Sequence, residues 1–272
     1  MFLPMKRKVL AGAFAAFAAI VGINTEAAAG GMSAPGYTSG LPIYAILPKG
    51  MYYLNQTQSN ERSVAGDDIR TNSNIFFFYY QSDMEIAGGA VSYVLAPTLF
   101  DYTSTGGYHA LGMYNTYLAS QIDWEIADGL YFGARLGGYV PQDGELAYDY
   151  GAIEPRFGFT YMKDGWLGLA NFIFGFPAGG TAGDMAPNYF LADFSITKAF
   201  GKWTIGPVAH TSTDLDTPYP GYEKQSQFAV GGLIGYDLGG ATLQTKLTTD
   251  LTEENYGGKE TALWTNLILK LW

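Results

Sequence analysis

The sequence predicts an all-β fold: a transmembrane, antiparallel, up-and-down β-barrel of about twelve strands. Three observations carry that reading. Runs of about 10–13 residues alternate in polarity, as a two-sided wall requires. Their connections alternate between short and long. The chain ends on an amphipathic run closed by Trp272.

The first 29 residues read as a signal peptide, because Lys6, Arg7 and Lys8 precede an Ala-rich apolar run, Val9 to Ile23, and Ala27-Ala28-Ala29 supplies small residues for cleavage. The apolar run is too short for a good membrane span. Residues 30–49, rich in Gly, Pro and small side chains, form an N-terminal segment before the barrel, and residues 50–272 form the barrel itself.

From Gly50 onward the strands are read in order over 50–58, 70–81, 84–95, 108–124, 129–141, 150–162, 165–176, 189–200, 202–211, 226–237, 241–250 and 261–272. Hairpin-length, Gly/Asp-rich turns follow every second strand, at Ser82-Asp83, Ala127-Asp128, Lys163-Asp164, Gly201 and Gly239-Gly240. The intervening connections are longer: Ser59 to Ile69, Ala96 to Gly107, Gln142 to Asp149, Pro177 to Asn188, Ser212 to Gln225 and Leu251 to Glu260. Short periplasmic turns on one rim and long extracellular loops on the other are the outer-membrane pattern, which a soluble β-sandwich has no reason to adopt.

Within strands the period is two. Phe132, Ala134, Leu136 and Val140 oppose Tyr131, Arg135 and Tyr139; Ile153, Phe157, Phe159 and Tyr161 oppose Glu154, Arg156 and Thr160; Phe190, Ala192, Phe194 and Ile196 oppose Asp193, Ser195 and Thr197. A charge at mid-depth on the lipid face costs roughly 2–4 kcal/mol, so the charged parity is the lumen. Trp124, Trp166 and Trp203 lie beside short turns and form one interfacial girdle. In the final strand Leu263, Leu267, Leu269 and Leu271 face lipid, leaving Trp264, Asn266 and Lys270 inward. Such an ending resembles the signal read by the barrel-assembly machinery, with Lys270 departing from its usual apolar residue.

Composition narrows the function classes. With no cysteine, disulfides do not hold the chain together. A net charge of −10 and the lack of a basic stripe exclude nucleic acid as a partner. The two histidines, His109 and His210, are too few and too far apart to make a metal site, and the Gly-rich pairs lack the strand-to-helix setting of a phosphate cradle, so no cofactor is expected. Outer-membrane lipid and a small-molecule solute are the expected partners. A lipid hydrolase of the phospholipase or lipid A deacylase type is the alternative. It would need a serine within reach of a histidine: Ser104 or Ser120 for His109, or Ser195 for His210. Ser195 and His210 share the lumen parity, the wrong side for lipid.

The candidate functional residues are therefore those of the inward parity: Asn55, Asp123, Arg135, Glu154, Arg156, Asn171, Asp193, His210 and Lys246, with Gln121, Gln244 and Asn266 among them. Interleaved acids and bases let buried charges pair, whether they line a pathway or hold a wall together.

Leu47-Pro48-Lys49-Gly50-Met51-Tyr52-Tyr53, Phe174-Gly175-Phe176-Pro177-Ala178-Gly179 and Gly235-Tyr236 resemble elements of the meta-pathway phenol-degradation family of outer-membrane proteins, which is similar to the long-chain fatty-acid transporter barrels. Thr211 to Gly221 depart from that family's Tyr-x-Ser-Gly element. The resemblance implies uptake of small hydrophobic or aromatic compounds. It also implies that residues 30–49 fold into the lumen as a plug; a periplasmic tail is the other placement.

Overall fold

A computed structural model describes residues 31–64, 67–179 and 183–272. The signal-peptide reading of residues 1–29 lies outside the described residues. Period-two alternation over the remaining chain produces strands β1 (Gly50–Val64), β2 (Asp67–Ile86), β3 (Gly89–Ser104), β4 (His109–Ala127), β5 (Leu130–Tyr139), β6 (Gly151–Lys163), β7 (Trp166–Ala178), β8 (Tyr189–Phe200), β9 (Trp203–Asp214), β10 (Ser226–Asp237), β11 (Ala241–Glu254) and β12 (Glu260–Lys270). Each strand pairs antiparallel with its sequence neighbours, and β1 pairs with β12 from Tyr52↔Lys270 to Arg62↔Glu260, closing the barrel and leaving no free edge.

The short turns carry the left-handed backbone that two-residue hairpins need: Ala87 and Gly88 have φ of 51° and 75°, Asp164 and Gly165 have 52° and 73°. The first of these replaces an expected turn. Ser82-Asp83 lies inside β2, where the register shifts between Gln81 and Glu85, and Ser82 Oγ donates to the Val91 carbonyl at 2.6 Å while accepting from Met84 N at 3.1 Å. The polar pair is thus a bulge that satisfies itself, and the chain reverses five residues later. The expected long connections Ser59–Ile69 and Ala96–Gly107 are likewise mostly strand, since β1 runs to Val64 and β3 to Ser104. Polar side chains there do not prevent main-chain pairing once a neighbouring strand is present.

On β5, β6 and β8 the parity assignment holds. Leu136 is 63% exposed and Ile153 55% on the outside, whereas Glu154 and Asp193 are fully buried inside. Trp166 and Trp203 point outward beside the short turns, and Trp124 Nε1 donates to the Ala87 carbonyl at 3.1 Å.

Candidate functional site

Residues 31–46 run inside the barrel, and Pro48 and Lys49 are exposed, with Lys49 paired to exposed Asp83. The inner path is a chain of tight turns, with Ser39 N donating to the Gly36 carbonyl at 3.2 Å, Leu41 N to Thr38 at 3.1 Å and Ala45 N to Pro42 at 3.2 Å. Gly36 and Gly40 take φ of 84° and 85°, which favours glycine at both. A path of this kind satisfies only some of its own amides and carbonyls, so the rest must find partners on the wall.

They find them on the inward parity. The Asp193 carboxylate accepts from Gly36 N at 2.8 Å, Thr38 N at 3.0 Å and Thr38 Oγ1 at 2.6 Å. Ser195 Oγ accepts from Gly40 N at 3.0 Å, and Thr160 Oγ1 from Tyr44 N at 3.1 Å. The Lys246 ammonium donates to the carbonyls of Gly36, Tyr37 at 3.3 Å and Ser39 at 3.2 Å, with the Trp264 ring 4.6 Å from its nitrogen. Gln56 donates to Tyr37 O at 2.7 Å, Gln121 to Ile43 O at 2.7 Å and Gln244 to Gly40 O at 3.2 Å. Asn171 accepts from the Tyr44 hydroxyl at 2.5 Å and donates to Thr38 Oγ1 at 2.9 Å.

Arg135, Glu154 and Arg156 are all buried on the inward face, with Arg135 opposite Arg156 in the β5–β6 register. Arg156 and Glu154 form a fully buried ion pair. Glu154 also accepts from the Tyr189 hydroxyl and, at 3.0 Å, from Ser33 of the inner segment. Arg135 turns instead to Gln121, donating to Oε1 at 2.5 Å, while Gln121 donates to Asp123 at 2.7 Å. Each arginine has its own polar partners in the interior.

Asn55 is the exception among the expected lumen residues. Gln56 and Gln58 take the inward positions of β1, and Asn55 faces outward, donating to Asn74 Oδ1 at 2.6 Å. Both faces of β1 carry polar side chains at this level, so polarity alone does not distinguish them; the cross-strand amide pair satisfies the outward one.

His210 lies buried opposite Asp193 in the β8–β9 register, and among the described residues its two ring nitrogens have no hydrogen-bond partner. His109 is exposed at the rim. Among the described residues, Ser195 Oγ is bonded to Gly40 of the inner segment, not to His210, and the ion-pair partner of His109 is Asp101, at 3.1 Å. On the rim, Asp214 accepts from Tyr222 and from Gln225 N at 2.9 Å, and Asp216 from Asn188 N at 2.8 Å, tying the connection after β7 to the one after β9. Burial, reinforced by the hydrogen bond to Asp214, pushes the Tyr222 phenol well above its ordinary range.

A family model described as "Putative MetA-pathway of phenol degradation" matches residues 54–267. Among solved structures, the COG4313 outer membrane channel from Pseudomonas putida F1 is similar in fold, with a TM-score of 0.68 at 11% identity over 83% of this chain and 97% of that one. The translocator domain of the autotransporter NalP from Neisseria meningitidis aligns at a TM-score of 0.49, with 12% identity over 96% and 98% of the two chains. LpxR from Salmonella typhimurium aligns at 0.42, with 10% identity over 80% and 100%. These last two alignments bear on neither activity nor partner. No curated protein matches in sequence.

Proposed function

The chain belongs to the family of the MetA-pathway of phenol degradation, and from that premise we propose that it is an outer-membrane channel for small, hydrophobic or aromatic solutes, closed at rest by residues 31–46 acting as a plug. The observation that carries this reading is the relation between wall and inner segment. An apolar outer belt suits lipid, while a row of inward polar groups is matched to the main chain of residues that could leave without breaking any strand pairing. A barrel with only a structural interior would fill it with side chains from its own wall, as small barrels do. In this reading an N-terminal signal peptide directs export, and the barrel-assembly machinery inserts the chain.

The test compares the full mature chain with a variant lacking residues 31–49, each reconstituted in planar bilayers. Small or intermittent currents are expected from the first, and larger, steady ones from the second. A deletion variant that folds, shown by its heat-modifiable migration on a gel, yet passes no current refutes the channel reading.

A further inference from the structure

The outward face of β1 breaks the apolar belt. Asn55, Thr57 and Ser59 alternate with Gln56 and Gln58, which are buried inside, so the first three point away from the lumen. Their cross-strand partners continue the polar surface: Thr57 stands opposite Thr265 on β12 and Asn74 on β2, and Ser59 opposite Asn72. Thr57 lies seven residues after Gly50, where β1 begins. A strand tilted by about 40° climbs roughly 2.5 Å per residue, so Thr57 sits roughly 18 Å above the periplasmic end of β1, inside an apolar band about 25 Å tall. Its surroundings agree, since Thr265 falls between outward Leu263 and Leu267, and Asn55 lies opposite Leu267 and Phe76.

These side chains line a groove of about 310 Å³, walled by Leu263 on one side and by Leu99 and Leu111 on the other. Small polar residues between larger apolar ones make the depression. Asn55 donates to Asn74 Oδ1 at 2.6 Å, and Thr57 Oγ1 to the Thr265 carbonyl at 3.4 Å. Among the described residues, the Asn74 amide hydrogens, the Asn72 side chain and the Ser59 hydroxyl have no hydrogen-bond partner. An acyl chain in the groove fills space but offers these groups nothing. Among the described residues no Lys or Arg lines it, so a phosphate-bearing lipid headgroup meets no counter-charge; the charged group there is Asp101, an acceptor. The occupant that fits is a protein surface at the same depth, because contacts in lipid depend on close packing at small side chains and on hydrogen bonds between Ser, Thr and Asn.

We propose that this groove is the contact between two copies of the chain lying side by side in the outer membrane. Donors and their complement adjoin on one surface: Asn72 stands opposite Asp101 in the β2–β3 register, and Asn74 opposite Leu99. A two-fold axis normal to the membrane, passing between β2 and β3, carries the Leu99 wall of each copy into the groove of the other. It also brings the Asn72 amide of each to the Asp101 carboxylate of the second copy, so one patch serves both sides. Asp101 is 34% exposed and lies 3.1 Å from His109, which leaves it an oxygen to offer. The pairing does not depend on whether the barrel conducts.

The chain has no cysteine, so single introduced cysteines report contacts without interference. In outer membranes a short bismaleimide should cross-link Leu99→Cys into a dimer and leave Ile196→Cys, exposed on the outside of β8, as single chains. Asn72→Leu and Asn74→Leu suit a lipid-facing wall and leave folding intact, yet each should lower the Leu99→Cys cross-link by about tenfold. Light scattering of the purified mature chain in mild detergent should give a two-copy mass that falls to one copy in Asn72→Leu. Heat-modifiable migration on a gel reports the folding of every variant, and the membrane cross-link decides where detergent separates the copies. Cross-linking of Leu99→Cys no greater than that of Ile196→Cys, or unchanged by both leucine substitutions, overturns the proposal. A single-copy protein retaining a glycolipid that Asn72→Leu releases assigns the groove to lipid and overturns it as well.

Discussion

Asp193→Asn should loosen the inner segment without weakening the barrel. The native carboxylate accepts three hydrogen bonds from the segment, two at Thr38 and one at Gly36, and all three donors are buried. The amide can keep its oxygen on the side of Thr38, whose two bonds share one carboxylate oxygen, and then turns its donor toward Gly36 N, so one bond is lost and two donors face each other. A hydrogen bond to a charged acceptor contributes about 1.5–3 kcal/mol, which is the loss expected. At about 1.4 kcal/mol per decade, that raises the population of the released segment roughly ten- to a hundredfold. Current recordings in planar bilayers read that population directly as the fraction of time spent at the larger conductance. Asp250→Asn is the control, because Asp250 faces inward but bonds only to the wall, accepting from Gln227 at 3.0 Å and Glu260 N at 2.8 Å. If Asp193→Asn and Asp250→Asn both match the parent in open fraction, Asp193 does not hold the segment, and the reasoning fails.

Three further outcomes are expected. Glu154→Gln leaves the Arg156 charge buried without its carboxylate, so thermal unfolding in detergent should register a loss of about 3–5 kcal/mol, and an unchanged melting temperature would mean the pair contributes nothing. Gly36→Ala places a methyl group 2.9 Å from His210 Cε1 on a backbone at φ +84°, so the open fraction should rise; a parent-like trace would show that the segment adjusts freely there. Single cysteines at Asp216, in the connection after β9, should react with an impermeant maleimide on intact cells, whereas one at Asp164 should not, and the opposite pattern reverses the assignment of rims.

Wall and turns were legible in the sequence because they follow from local rules. Alternation along Ile153 to Tyr161 states which side of β6 is wet, and a two-residue Gly-containing turn states where a hairpin closes, both within a dozen residues of chain. The same rules misread positions where local chemistry is ambiguous. Ser82-Asp83 has the composition of a turn yet forms a bulge, and the polar ends of β1 and β3 look like loops until a neighbour supplies their hydrogen bonds. Asn55 was misplaced because Gln56 beside it is equally polar, so only the closure of β1 against β12 decides which of them meets the lumen.

The inner segment lies beyond any such rule. Its turns can be read from Gly36 and Gly40, but the partners of its main chain are scattered along the sequence, from Gln56 and Gln121 to Asp193, Ser195, Gln244 and Lys246, the last four more than 150 residues away. The sequence by itself determined a wall with an apolar outside and a polar, charged inside, because side-chain parity is a property of each strand alone. Only the tertiary structure decided what the polar inside is for: closure of the barrel brings carboxylate, ammonium and amide groups from separate strands around one stretch of irregular backbone, whose unsatisfied amides and carbonyls can be buried only where all of these groups converge.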